Sequence, residues 1–368
     1  MSTEEIESYT FPALRGIQAG REYYLTMCPL KLIPKIFIFD SEEIPAKLRA
    51  QRTLNKSRIP EITRYLVDNP RDYTFSAITA SIDGPVKFEP YAGTGRGLKV
   101  GSLIVPMTAK FLINDGQHRR AAIEEALKVN QDIGMETISV VFFIDAGLKR
   151  SQQMFADLNK HAIRPTKSIG ILYDHRDPFA RLALNVIENV PIFNSRTELE
   201  KTTISNRSLK VFTLSSIYQA TQALLGKHGK KDAIRDSDEQ LATEFWTEVS
   251  NNINEWHLLL ENKTTSSELR KDYVHAHGLI LQALGYAGNL LIAKRPKDWK
   301  RQLVKLKEID WSKSNSGIWE GRATVGGHVI KAQINVVLTT NYIKKRLGLQ
   351  LTDKEHNEEK RFLKRKTR

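Results

Sequence analysis

Residues 111–127 read FLINDGQHRRAAIEEAL. The opening positions are β-rich, Gly116 supplies a tight turn, and an alanine-rich stretch with helical spacing begins at once. A strand that runs through such a turn into a helix presents the helix's first N–H groups and the positive end of its dipole. Gln117, His118 and Arg119 add side-chain donors at the same place, and this convergence of donors and positive charge suits a phosphate. Asp115 can cap the helix, or hold a divalent metal ion or a water against a phosphate. The alternative is architectural: a well-capped strand–turn–helix with Arg119 in an ion pair. A short glycine-containing turn is compatible with both.

On either side of this unit, short β-rich runs alternate with helical stretches. Strands are expected at 35–39, 75–79, 103–105, 111–113 and 139–144, and helices at 60–67, 116–129 and 149–159. Residues 84–101 contain five glycines and read as a mobile flap. Beyond residue 175 the pattern becomes helical, over 209–226, 237–260, 266–293 and 297–308, with a short β-like stretch at 327–331 before a last helix to about 347. Ser237 with Gln240 and Thr265 with Glu268 have capping-box spacing, and Pro296 can open a helix. The expected fold class is α+β: a mixed α/β domain at 1–175, a mainly helical domain at 176–350, and a basic tail at 351–368.

Composition agrees with two domains. The chain has 368 residues, 40% hydrophobic and 27% charged, which excludes disorder throughout. Its longest unbroken apolar run is five residues, Val140 to Ile144, against the ~20 that a bilayer span needs. The start, MSTEEIESYTF, lacks the basic-then-apolar order of an export signal, so a cytoplasmic location without membrane association is expected. A single cysteine, Cys28, excludes internal disulfides, cysteine-only zinc sites and iron–sulfur clusters held by this chain alone. Set between Met27 and Pro29, it reads as a buried small residue. Net charge is +14, and residues 289–368 hold 20 Lys and Arg against 8 Asp and Glu. A basic field confined to one end of a chain suits a polyanion such as nucleic acid; an anionic membrane surface is the other candidate.

Four segments, NKSRIPEITRYLVDN (55–69), INDGQHRRAAIEEAL (113–127), VVFFIDAG (140–147) and FADLNKHAIRPTKSIGILYDHRD (155–177), resemble the DGQHR-domain proteins and, more widely, the DNA sulfur modification protein DndB family. The resemblance is specific over 50–180 and looser toward the C-terminus. It implies an accessory or regulatory role in DNA phosphorothioation, with repression of the modification gene cluster through promoter binding. The same core is similar to the ParB/sulfiredoxin superfamily, whose turn before a helix binds nucleotide phosphates. Sulfiredoxins carry Gly-Cys-His-Arg there, whereas this chain has Gly116-Gln117-His118-Arg119. Sulfiredoxin chemistry is thereby excluded, and an NTP site (ATP or another NTP with Mg2+) or a phosphodiester site is implied, with hydrolysis or DNA nicking as the enzymatic alternative. Sulfur mobilisation needs a persulfide-forming thiolate, and Cys28 does not fit that role.

Residue by residue, Asp115, Gln117, His118 and Arg119 are the expected working groups, with Gly116, Arg120, Asn159, Lys160, Arg164, Thr166 and Lys167 as further phosphate or nucleotide contacts. In ParB-like folds the segment matching 159–168 closes over the phosphate site; a solvated turn set by Pro165 is the plainer reading. Arg96, Lys99, Lys344, Lys345, Arg346, Lys364, Arg365 and Lys366 are the expected DNA-backbone contacts. No metal site is assigned: Tyr173-Asp174-His175-Arg176-Asp177 reads as the ion-paired start of a helix, and His275 and His277 fall on different helix faces. Trp246, Trp256 and Trp299 lie on apolar stripes and are read as core. Double-stranded DNA, other phosphorothioation proteins and a second copy of the chain are the expected partners.

Overall fold

Two strands that the sequence pattern does not announce begin the chain. β1 (Ser8–Gln18) and β2 (Arg21–Pro29) form an antiparallel hairpin. Between them Ala19 and Gly20 have φ of 50° and 73°, the two-residue left-handed turn that matches strand twist. The computed structural model describes residues 7–37, 55–144, 153–154, 156–158, 165–227 and 232–366, and the chain divides into two compact units, Met1–Ile163 and Arg164–Arg368. The sequence reading set its division at 175.

The first unit is built on a seven-stranded sheet. β3 (Ile78–Asp83), β4 (Lys87–Pro90), β5 (Val100–Pro106), β6 (Lys110–Asp115) and β7 (Thr137–Ile144) join the hairpin in the order β4-β5-β1-β2-β7-β3-β6. Every pairing is antiparallel except β7 with β3. Alternation puts one face into the core: Tyr24, Thr26 and Cys28 stand opposite Phe142, Val140 and Ile138, and Ile78 and Ala80 flank the same strand from the other side. Leu66 of α2 (Ile59–Asp68) and Ile123 and Ala126 of α3 (Gln117–Val129) complete this core. β5, β6, β7, α2 and α3 lie where the pattern put them.

Two expectations need correction. Of the stretch expected as a strand at 35–39, residues 35 and 36 end a short helix, α1 (Ile33–Ile36), because Pro34 occupies its first turn and fixes a helical φ, and 38–39 lie outside the described residues. The expected flap at 84–101 is partly sheet, since β4 pairs with β5, and it closes in a 3-10 turn at Gly95–Lys99. β3 begins at Ile78, later than the expected 75. Of the helix expected at 149–159, residues 153–154 and 156–158 are described and are helical, and the others lie outside the described residues.

The second unit is mainly helical: α4 (Lys167–Leu172), α5 (Pro178–Asn189), α6 (Leu214–Leu225), α7 (Asp236–Asn251), α8 (Asn254–Leu260), α9 (Ser266–Asp272), α10 (Gly278–Lys294), α11 (Trp299–Leu303), α12 (Ser316–Trp319), α13 (Gln333–Arg346) and α14 (Asp353–Lys366). Two short β pairs accompany them. α10 packs against α6 and α13, and Trp246, Trp256, Trp311 and Trp319 are fully buried. Trp299 is buried too, as its stripe predicts.

Helical spacing again hides breaks. The expected 237–260 helix is α7 and α8, parted at Asn252, whose Nδ2 donates to Glu248 O at 2.8 Å. The expected 266–293 helix is α9 and α10, parted where Tyr273 pairs with Ser312 in a β-bridge and Val274 N–H donates to Trp311 O. Thr265 and Glu268 form their capping box. At the start of α7 the residue in that role is Asp238, which accepts from Arg235 N–H at 2.8 Å, rather than Gln240. The segment expected as a basic tail is α14, seated by buried Phe362 and Glu359.

Candidate functional site

The turn after β6 forms because Gly116 alone fits there. Its φ is 111°, and a Cβ would lie 3.0 Å from Ile78 Cγ1 and 3.3 Å from Ile78 Cα. The first α-helical bond of α3 runs from Arg120 N–H to Gly116 O at 2.9 Å, and no side chain caps the helix. Its leading N–H groups therefore carry no capping side chain at the positive end of the dipole, although Gly116 and Gln117 are buried.

The side chains of the motif turn mostly inward. Gln117, 6% exposed, donates through Nε2 to Ile113 O at 3.1 Å and Asn114 O at 3.4 Å. Arg119 donates through Nη2 to Asp115 Oδ2 at 2.8 Å and to Ala77 O at 3.0 Å, while its buried Nε has no partner among the described residues. Arg120 reaches Phe37 O at 2.9 Å, Pro34 O at 3.3 Å and Glu124 Oε2 at 2.5 Å. His118 Nε2 accepts from Asn55 N–H at 3.2 Å, so a neutral ring carries its proton on Nδ1. Thus α3 bonds to the backbone at both Phe37 and Asn55. What the turn leaves unmatched is the uncapped start of α3; the guanidinium of Arg119, partly exposed, is already paired with Asp115. A helix start of that kind can hold one phosphate.

Of the other expected phosphate contacts, Asn159, Lys160 and Arg164 lie outside the described residues. Thr166 and Lys167 belong to the second unit. Thr166 Oγ1 accepts from Ile169 N–H at 3.2 Å as the cap of α4 and donates to Glu200 O. Lys167 is exposed on a cleft of that unit.

The expected DNA contacts divide by burial. Arg96 and Lys99 are exposed on the 3-10 turn. Lys344 was expected to face solvent, but it is 8% exposed and donates to Glu355 Oε1 at 2.6 Å. An ammonium already neutralised by a carboxylate is a poor partner for a phosphate. Lys345, half-exposed, lies 3.3 Å from Glu359 Oε2, and Arg346 stacks on Tyr342 at 5.3 Å. Lys364, Arg365 and Lys366 are exposed at the end of α14, where Lys366 donates to Ser316 O and Gly317 O. Sequence reasoning missed the group that organises this end. Arg322, buried, makes a bidentate pair with Glu359 at 2.7 and 3.0 Å and lies 4.6 Å over the Phe362 ring.

Asp177 is the cap of α5, accepting from Phe179 N–H at 2.9 Å and from Tyr218 OH at 2.7 Å. His275 is fully buried, its Nδ1 accepting from Trp256 Nε1 at 2.9 Å. Burial pushes the Cys28 thiol up to about 12, so it is not a thiolate at neutral pH.

No group of histidine, cysteine and carboxylate side chains placed to hold a metal ion occurs among the described residues, and no helix there is long and apolar enough to cross a membrane. Searches of curated proteins and of solved structures give no match. One family model does match, that of DndB, described as DNA-sulfur modification-associated, and it covers residues 11–350. A match that runs through both units, with the DGQHR turn inside it, means that the chain belongs to the DndB family of DNA-sulfur modification-associated proteins.

Proposed function

We propose that the chain is a DNA-binding regulator of DNA phosphorothioation, which represses the modification genes by occupying their promoter. The observation that carries this reading is the family match over 11–350. The basic surplus of residues 289–368 adds the field a polyanion needs. In the first unit, a strand–turn–helix with an uncapped helix start supports the ParB/sulfiredoxin-like kinship and offers a seat for one backbone phosphate. The enzymatic alternative, an NTPase or nickase, asks more of the same residues. Asp115 would have to leave Arg119 to reach Mg2+, and Gln117 would have to leave two backbone carbonyls to orient a water. Binding needs neither move.

The test is a footprint of the purified chain on the promoter of the modification genes, with a scrambled duplex of equal length as control. Protection of a defined promoter segment, with expression rising when the gene is deleted, is the expected result. Equal, salt-labile coating of both duplexes would remove the repressor reading. A parallel assay of ATP, GTP and CTP turnover with and without DNA decides between regulator and enzyme.

A further inference from the structure

We propose that a cleft in the second unit, at the joined starts of α6 and α10, binds an oligophosphate such as the triphosphate of a nucleotide. The cleft encloses about 870 Å³, within the roughly 300–1,000 Å³ typical of small-molecule sites. Its wall holds Lys167, Arg270, Lys271, Lys313 and Lys331, and no aspartate or glutamate. Among the described residues no carboxylate forms an ion pair with any of the five. Asp272, whose field reaches Lys313, stands outside the lining.

What these cations do bond to is neutral oxygen. Lys331 Nζ donates to Gln219 Oε1 at 2.6 Å and Lys313 Nζ to Arg270 O at 2.6 Å. Arg270 reaches the carbonyls of Ser205, Asn206 and Ser208 at 3.0 to 3.1 Å, which shapes the loop on one side of the cleft. Such bonds orient a cation without cancelling its charge. Like charges on one concave wall repel, and burial, then the field of Lys167, already lower the Lys331 ammonium, so an entering anion relieves that repulsion.

The backbone adds to the same field. α6 and α10 are 12 and 17 residues long, and both begin on the cleft. Gly278 makes the junction possible: a Cβ there would lie 2.7 Å from Ser216 Cβ. The positive ends of two helix dipoles thus meet on the cleft, that of α10 without a side-chain cap and that of α6 with its Ser216 N–H taken by Thr213 Oγ1. Thr202 and Thr203 are exposed on the wall, where their hydroxyls can donate to phosphate oxygens, while the Thr213 and Ser215 hydroxyls are bonded to each other. A single carboxylate would leave most of this charge unmatched, whereas a chain of phosphates spans it. His277, on the same wall, reports the potential: burial, then the field of Lys313, push its ring down to about 4.

Calorimetry of the full chain with sodium tripolyphosphate and with ATP tests the proposal, with orthophosphate as the weak-binding comparison. Saturable binding of tripolyphosphate at one site per chain is expected. Lys167→Gln with Lys271→Gln, two exposed positions whose loss leaves the core intact, should weaken it by at least tenfold. Arg119→Ala, in the other unit, should bind as the parent does. As a second readout, the His277 ring followed by NMR should titrate at higher pH when tripolyphosphate is bound, because the anion offsets the field that depresses it. No saturable binding, or binding unchanged by the double substitution, overturns the site. So does a double variant that loses affinity for duplex DNA while neither form binds tripolyphosphate, since the cleft would then be a groove for a nucleic-acid backbone. Failure of the promoter footprint leaves this titration unaffected, so the two readings fail separately.

Discussion

The DGQHR turn and the cleft of the second unit use the same residue types and spend them differently. At the turn, Arg119 is ion-paired to Asp115, and Arg120 to Glu124 and two carbonyls. In the cleft, Arg270, Lys313 and Lys331 bond to neutral oxygens, and none of the five cations forms an ion pair among the described residues, although the fields of Asp272 and Glu268 reach Lys313 and Lys271. A motif rich in cations is therefore not by itself a binding surface. What decides is whether the protein has already supplied the counter-charge.

The comparison is tested hardest at its extreme, the buried pair of Arg322 and Glu359. Burial pushes the Glu359 carboxyl up, but the hydrogen bonds and field of Arg322, with Lys345, outweigh this and hold it below the usual range. Glu359→Gln leaves a buried guanidinium without its counter-charge, which should cost about 3–5 kcal/mol. Chemical denaturation followed at the second unit's tryptophans measures it, and a loss under 1 kcal/mol would show that this pair is not structural.

Next in size is a pH effect in the cleft. His277 is neutral in the folded chain down to about 4, held there by burial and by Lys313, His275 and Arg270, against the opposing hydrogen bond to Arg270 O. Unfolded, it protonates near 6.5. The unfolded state then binds more protons between those values, so stability should fall as pH drops from 6.5 to about 4, by about 3 kcal/mol at most. His277→Gln should flatten that slope, and saturating tripolyphosphate should flatten it in the parent. A slope unmoved by either would disconnect His277 from the cleft's field.

At the turn itself, Arg119→Ala should lower stability by about 1.5–3 kcal/mol, the range for a charge-assisted bond that leaves Asp115 and Ala77 O unpaired. The smallest effect belongs to Lys331→Met, at an exposed cleft position bonded among the described residues only to Gln219. Stability should change by less than about 0.5 kcal/mol while tripolyphosphate affinity falls. If Arg119→Ala were neutral and Lys331→Met destabilising, the contrast between the two regions would be reversed.

The turn was legible because its signals are local: an apolar run, one glycine and an alanine-rich stretch sit within a few residues. The β1–β2 hairpin was not, since Pro12 interrupts the pattern and Ala19-Gly20 replaces the usual turn residues. Helix breaks at 252–253 and 273–277 escaped because the apolar spacing continues through them while tertiary pairing, such as Val274 N–H to Trp311 O, sets the backbone. Lys344 looked like a surface cation because its partner, Glu355, belongs to a segment that reads as a tail. The cleft has no local signature at all. Its cations come from positions as far apart as Lys167 and Lys331, and only the fold assembles them.

The single parallel pairing in the sheet has a consequence for how the first unit assembles. β1 and β2 close through two residues, a microsecond event for a hairpin. β3 and β7 run the same way, so the chain must pass through β4, β5, β6 and α3 before they can meet. Loop-closure entropy makes such a distant contact late and slow. The DGQHR helix lies inside that crossover, and it makes contacts with α2. During synthesis the early hairpin waits with Tyr24, Thr26 and Cys28 uncovered until β7 emerges and takes its place beside them. That interval, rather than the finished molecule, is when this chain is most exposed to aggregation.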